Sequence, residues 1–130
     1  MTNTNSKTNP AFWQALDTLV AQSEIIVDRS KGSAHQCYPD FIYPLDYRYL
    51  PDTSSMDGDG IDVWRGSLSS DEVSAVICTV DLMKRNSEIK ILIGCTEEEE
   101  VLIYKTHNDT DFQKGMLIKR RDTHEIRINK

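Results

Sequence analysis

Residues 72–95, EVSAVICTVDLMKRNSEIKILIGC, contain the strongest strand signal in the chain. Two runs rich in β-branched residues, EVSAVICTVDLM and SEIKILIGC, flank the polar turn KRNS. Such runs predict strands, and so short a connection predicts that they pair as a β-hairpin. The segment GIDVWRG, residues 60–66, has the same character and predicts a third strand just upstream.

The remaining elements follow from similar local patterns. Strands are expected at SEIIVDR, which ends at Arg29, and as a final pair at MLIKRR (116–121) and EIRINK (125–130). One helix is predicted over residues 10–22 behind an Asn9 N-cap, and another after the capping-box residue Thr96. About five strands adjacent in sequence and two helices favour a mainly β (α+β) fold, a small antiparallel OB-like barrel with two flanking helices.

Length and composition limit the function classes. The 130 residues fit a single domain, 1–130, in which residues 1–9 are expected to be a flexible tail. A net charge of -6 argues against nucleic acid as the main partner, and no apolar window is long enough for a membrane span. The N-terminus does not resemble a secretory signal, so the protein is expected in the cytoplasm.

The chemistry is concentrated in TSSMDGDGIDVWRGS, residues 53–67, where Asp57, Asp59 and Asp62 are clustered. Close carboxylates repel one another, and hard oxygen ligands of this kind suit Mg²⁺, Mn²⁺ or Ca²⁺. An EF-hand loop is excluded because Leu68 stands where its bidentate glutamate should be. The alternative is an Asp-Gly turn whose carboxylates only cap backbone amides.

The proline-interrupted segment before this cluster, residues 30–55, predicts an irregular or briefly extended chain. This segment supplies tyrosine hydroxyl donors at Tyr38, Tyr43, Tyr47 and Tyr49. The candidate cations are Lys31 and His35 within it, with Arg29 directly before it and Lys90 further along the chain. Metal-binding carboxylates beside such groups are what metal-assisted attack on a phosphate needs. By contrast, Trp64 is expected to pack in the core and His107 to lie on the surface.

Three strings, YPLDYRYL, DGDGIDVW and SEIK, resemble in order and spacing the motifs of the soluble family I inorganic pyrophosphatases. The resemblance covers roughly residues 25–95 and is closest to a short pyrophosphatase-like group. It implies the pyrophosphatase fold and Mg²⁺-dependent hydrolysis of pyrophosphate to phosphate, with Mn²⁺ as another usable metal. It also makes a homo-oligomer plausible.

The resemblance implies roles residue by residue. Asp57, Asp59 and Asp62 would bind metal, and Asp59 would accept the proton of the attacking water. Tyr47 would lie beside the nucleophile and Tyr43 would support the metal and phosphate site. Lys90 would contact a phosphate, with Glu88 in support. The phosphate-binding arginine of the family has three candidate counterparts here, Arg29, Lys31 and His35.

The chain also departs from the family pattern. Asn86 replaces a metal-binding aspartate and would be a weak ligand, and Arg48 replaces a glycine, which puts a bulky cation beside the site. The C-terminal Tyr-Lys pair has no clear match. These departures favour a binding protein, but the intact aspartate triplet, both tyrosines and Lys90 make an inorganic diphosphatase the leading hypothesis. The alternatives are a catalytically weakened metal- or phosphate-binding regulatory protein, and a hydrolase of another phosphoanhydride.

Overall fold

The computed structural model describes residues 9–56 and 58–121. Three sequence predictions lie outside the described residues: Asp57 as a metal ligand, the tail before Asn9, and the EIRINK strand at 125–130. Among the described residues, no helix is long and apolar enough to cross a membrane.

The described chain folds into two helices and one six-stranded mixed sheet, so it is mainly β and of the α+β class. The strands run in the order β1-β2-β3-β5-β4-β6, with β1 and β6 at the edges of an open sheet. The elements are α1 (Pro10–Ala21), β1 (Ile26–Arg29), β2 (Asp46–Leu50), β3 (Ile61–Arg65), β4 (Val73–Asp81), β5 (Asn86–Ile93), α2 (Glu97–Thr106) and β6 (Gln113–Lys119).

The sheet is antiparallel, as the sequence predicted, at every described strand pair except one. β3 and β5 pair in parallel, with Val63 opposite Ile91, whereas the other neighbouring strands are antiparallel. The parallel pair arises because the chain leaves β3, forms β4 two places away in the sheet, and returns as β5 in the place between them. The β4–β5 hairpin itself is confirmed, and β2 is the strand within the proline-interrupted segment.

The helix boundaries confirm the capping signals. The Asn9 side chain accepts a hydrogen bond from the backbone N–H of Phe12 at 3.3 Å, and Pro10 occupies the first turn of α1. At α2, the Thr96 hydroxyl accepts from the Glu99 backbone, and the Glu99 carboxylate accepts from the Thr96 backbone at 2.9 Å. Both ends therefore satisfy backbone donors that a helix leaves unpaired.

Alternation along the strands divides the core between the two faces of the sheet. Trp13 and Val20 of α1 pack with Val63 and Ile91 on one side, which we call the α1 face. Ile103 of α2 packs with a different set on the other side, which we call the α2 face. That set includes Trp64, Ala75, Ile77 and Leu92. Every second residue of β2, β3 and β5 therefore reaches the α2 face.

Two glycines meet where the parallel strands end. A Cβ on Gly66 would lie 2.3 Å from the Gly94 carbonyl oxygen and 2.5 Å from the Cα of Cys95. Gly94 itself adopts a φ of 60°. The Gly66 backbone N–H donates to the Ile93 carbonyl at 2.8 Å, so the two backbones are held at this close approach. The return of β5 beside β3 depends on the absence of side chains here.

Candidate functional site

An open pocket of about 310 Å³ lies on the α2 face, beside β1, β2 and β3. Its described lining residues are Asp28, Tyr49, Asp59, Gly60 and Asp62. Tyr49 of β2 is paired with Asp62 of β3, so their side chains emerge next to each other on the same face. The structure therefore brings the predicted residues Asp59 and Asp62 to one pocket.

Asp59 is presented by a tight turn. Gly58 has a φ of 86°, a conformation that glycine adopts without strain. The Ser55 backbone N–H donates to the Asp59 carbonyl at 2.8 Å, and the Gly58 N–H donates to the Ser55 carbonyl at 3.0 Å. These bonds fix the backbone of the turn, and the Asp59 residue is exposed at the pocket.

Asp28 also lines this pocket, and it was not among the residues predicted for the site. Val27 pairs with Arg48 and Arg29 pairs with Tyr47, so Asp28 is the extra residue of a β-bulge. The sequence signal that could have identified it is its position in SEIIVDR, directly before the candidate phosphate-binding residue Arg29. The pocket thus has a third carboxylate within the described part of the chain.

Lys90 lies beside the pocket and contacts the Asp62 carboxylate. Its ammonium donates to Asp62 Oδ2 at 2.9 Å, to Glu88 Oε1 at 2.8 Å and to the Tyr47 hydroxyl oxygen at 2.8 Å. Burial by itself lowers the pKa of Lys90, but the Tyr47 hydroxyl and the two carboxylates outweigh burial and the net pKa is raised. Lys90 is therefore a fixed cation with all three of its N–H donors engaged.

Tyr47 is held between this cation and the aromatic core. Its ring lies 4.6 Å from the Trp64 ring, measured between centroids. Burial raises the pKa of the Tyr47 hydroxyl, and Lys90 only partly offsets that effect. Tyr47 is therefore a neutral phenol near pH 7, suited to hydrogen bonding rather than to action as an ionised base.

Arg29 ends β1, Lys31 and His35 lie between β1 and β2, and none of these three candidate anion-binding residues lines the described part of the pocket. The Arg29 guanidinium donates to Gln36 Oε1 at 2.9 Å. His35 stacks on Tyr43 with 6.1 Å between ring centroids, and its Nδ1 accepts two backbone N–H bonds within its own loop. The backbone of Lys31 donates to Asp46 at 2.8 Å, while the residue is exposed.

The two departures from the family pattern lie away from the pocket lining. Arg48 is on the α1 face, because strand alternation turns it away from Tyr47 and Tyr49, and it pairs with Asp46 at 2.9 Å. The expectation of a cation beside the site was therefore wrong. Positive φ among the described non-glycine residues occurs at Asp52 and Arg85, so the Arg48 backbone is unstrained. Asn86 begins β5 opposite Asp81, two residues from Glu88.

The donor set of the pocket fits a hard divalent cation. Asp28, Asp59 and Asp62 offer carboxylate oxygens, and Tyr49 lies among them. Among the described residues, which do not include Asp57, no three His, Cys, Asp or Glu side chains converge closely enough to form a metal-binding group. The described carboxylates therefore match a hard cation in ligand type and in lining the same pocket, but not in forming a closed set of ligands.

The prediction that His107 lies on the surface was wrong. His107 is 7% exposed, and its Nε2 accepts the indole N–H of Trp64 at 3.0 Å. Its Nδ1 contacts Gln113 Oε1 at 2.9 Å, and the Gln113 amide donates to Asp81 Oδ2 at 3.3 Å. The sequence around His107, at the end of α2, did not indicate this series of hydrogen bonds, because its partners come from β3, β4 and β6. Trp64 is confirmed as a core residue, at 1% exposed.

The buried imidazole predicts a pH-dependent stability. Burial lowers the pKa of His107 from 6.5 to about 4, so the unfolded state takes up the proton first. The contribution of the neutral His107 to the free energy of unfolding is fully present above pH 6.5 and is lost as the pH falls towards 4. Between pH 7.5 and 5.5 we expect His107 to remove about 1.4 kcal/mol from the free energy of unfolding.

Urea denaturation of the wild type and of His107→Gln at both pH values isolates this effect from the other titrating groups. Gln can still accept the Trp64 N–H but does not titrate. Parallel pH dependences in the two proteins would contradict the prediction.

Protein-family models, curated proteins and solved structures were each compared with the chain, and none of the three comparisons gives a match.

Proposed function

We propose that the protein is a Mg²⁺-dependent hydrolase of inorganic pyrophosphate, with Mn²⁺ as an alternative metal. The observation that carries the proposal is the pocket shared by Asp59 and Asp62, with Lys90 bonded to Asp62 at 2.9 Å. Carboxylates to hold a hard cation thus lie beside a buried positive charge. The sequence motifs that contain these residues support the same reaction.

In this proposal the chain's own residues divide the work. Asp28, Asp59 and Asp62, together with Asp57, would hold the metal, and Asp59 would also take the proton of the attacking water. When bound, Mg²⁺ would supply Lewis-acid chemistry, activating water and offsetting the charge of the substrate. Lys90 fixes Asp62 and carries positive charge towards the phosphate, while the neutral Tyr47 hydroxyl accepts a hydrogen bond from Lys90 and holds it in place.

A second candidate is a metal- or phosphate-binding protein with weak turnover. It is favoured by the state of Lys90, whose three N–H donors already have three acceptors. A phosphate oxygen can bind Lys90 only by displacing one of these acceptors. The exposed Lys31 and the loop-bound Arg29 and His35 would then have to supply the anion contacts.

The proposal also includes an OB-like barrel, a cytoplasmic location and a homo-oligomeric state. The order β1-β2-β3-β5-β4, with its parallel β3–β5 pair, is compatible with the Greek-key path of an OB-like barrel. We propose that the protein acts in the cytoplasm as a homo-oligomer.

The test is phosphate release from pyrophosphate with Mg²⁺ or Mn²⁺, measured for the wild type and Asp59→Asn. Loss of the Asp59 charge is expected to lower the rate by about 100-fold or more. Because Asp59 is exposed, the melting temperature should stay the same. Asp111→Asn, an exposed aspartate before β6, is the matched control and should release phosphate at the wild-type rate.

Two outcomes would reject the diphosphatase proposal: no phosphate release by the wild type, or release that Asp59→Asn leaves unchanged. Calorimetric binding of Mg²⁺ without turnover would favour the second candidate. Release from nucleoside triphosphates but not from pyrophosphate would assign the same chemistry to a larger phosphoanhydride.

A further inference from the structure

We propose that His107 is a positioning residue, which orients the Trp64 indole and, through it, the Tyr47 ring that contacts Lys90. The proposal rests on the proposed function only in taking the Tyr47–Lys90 pair as part of the working site. His107 itself is bonded to Trp64 and Gln113 and does not line the described part of the pocket.

Trp64, His107, Gln113 and Asp81 form a hydrogen-bonded series, and the groups at its two ends determine the direction of each bond. An indole N–H can only donate, so His107 Nε2 must carry a lone pair towards Trp64. The proton of the neutral ring is then on Nδ1, and it is donated to Gln113 Oε1. The Gln113 amide is left to donate to Asp81, which as a carboxylate can only accept.

Asp81 anchors the far end of this chain. Its Oδ1 accepts the backbone N–H groups of Met83 and Lys84, both at 2.9 Å, in the β4–β5 turn. These bonds fix the carboxylate, and with it the amide orientation of Gln113. The imidazole is therefore held in one tautomer and one ring orientation, from which Nε2 meets the indole of Trp64.

At the other end of the hydrogen-bonded series, Trp64 packs against Tyr47, which contacts Lys90 beside the pocket. Trp64 and Tyr47 are paired residues of β3 and β2, and their rings lie 4.6 Å apart at 57° between planes. The Tyr47 hydroxyl in turn accepts from Lys90 at 2.8 Å. Without an acceptor at position 107, the indole N–H would be buried and unpaired, and the ring would have to turn towards another partner. Tyr47 packs on that ring, so its hydroxyl would move relative to Lys90.

The test compares His107→Leu, which removes the acceptor, with His107→Gln, which keeps an acceptor and a donor. Two readouts need no activity: protection of the Trp64 indole N–H from exchange, and NMR cross-peaks between the Trp64 and Tyr47 rings. Trp64→Phe assigns the indole signal, since Trp13 gives the other. We expect His107→Leu to lose protection at least about 10-fold, with weakened ring cross-peaks, and His107→Gln to retain both.

Phosphate release is the third readout. The proposal expects kcat to fall about 10-fold in His107→Leu with little change in KM, and expects His107→Gln to restore most of it. If His107→Leu does not fold, Trp64→Phe takes its place, because phenylalanine cannot donate to His107. Unchanged contacts between ring 64 and Tyr47, with wild-type kcat, would then overturn the proposal.

The outcomes separate this inference from the proposed function. A wild type that releases no phosphate rejects the diphosphatase reaction, while the NMR readouts still decide the positioning role. Ring contacts that survive in His107→Leu overturn the positioning role even if the wild type is active.

Discussion

Lys90→Met is expected to destabilise the folded protein by about 3–4 kcal/mol, because it leaves two partly buried carboxylates without their cation. The side chains of Lys90, Asp62 and Glu88 are 8%, 23% and 11% exposed, so water replaces the ammonium poorly. The methionine has a similar length and retains the packing of the lysine stem. Urea denaturation at pH 7 measures the loss.

Two controls make the expectation specific. Lys84→Met removes an exposed lysine from the β4–β5 turn and should change stability by less than about 0.5 kcal/mol. In the double variant Lys90→Met, Glu88→Gln, one of the opposed charges is gone, so part of the lost stability should return. A Lys90→Met protein as stable as the wild type would show that the cluster is well solvated.

Gly66→Ala is expected to cost about 3 kcal/mol or more through a backbone clash. The added methyl group would lie 2.3 Å from the Gly94 carbonyl oxygen and 2.5 Å from the Cα of Cys95, and neither atom can rotate away. Relief requires β3 and β5 to separate at the end of their parallel pairing. Thermal or urea denaturation measures the effect.

Gly32→Ala is the matched control. Gly32 has a φ of 86° but no atom within 4 Å of an added Cβ, so it carries only the conformational penalty. We expect a loss of about 1 kcal/mol there. Equal losses in the two variants would mean that the close approach at Gly66 relaxes easily.

Local patterns predicted the parts of the fold that local physics determines. The Asn9 and Thr96 caps, both helices and the β4–β5 hairpin are confirmed, because each depends on neighbours within a few residues. The parallel β3–β5 pair could not be predicted in this way. It depends on where β4 is placed in the sheet, which no single segment encodes.

The same distinction between local and long-range determinants applies to the candidate site. The spacing of Asp59 and Asp62 placed them together, and the motif order placed Lys90 beside them. Asp28 reaches the pocket through a bulge in β1, and His107 reaches Trp64 across the sheet. Both positions depend on register and packing between distant segments, which local sequence patterns do not specify.

The position of β5 between β3 and β4 also has a consequence for folding kinetics. The β4–β5 hairpin is local in sequence and can form early, whereas β3 joins β5 only after a longer loop has closed. The hairpin alone holds Lys90 and Glu88 but lacks Asp62 and Tyr47, which arrive with β3 and β2. We infer that the contacts of Lys90 with Asp62 and Tyr47 form late in folding. A partly folded chain would then contain Lys90 paired with Glu88 alone.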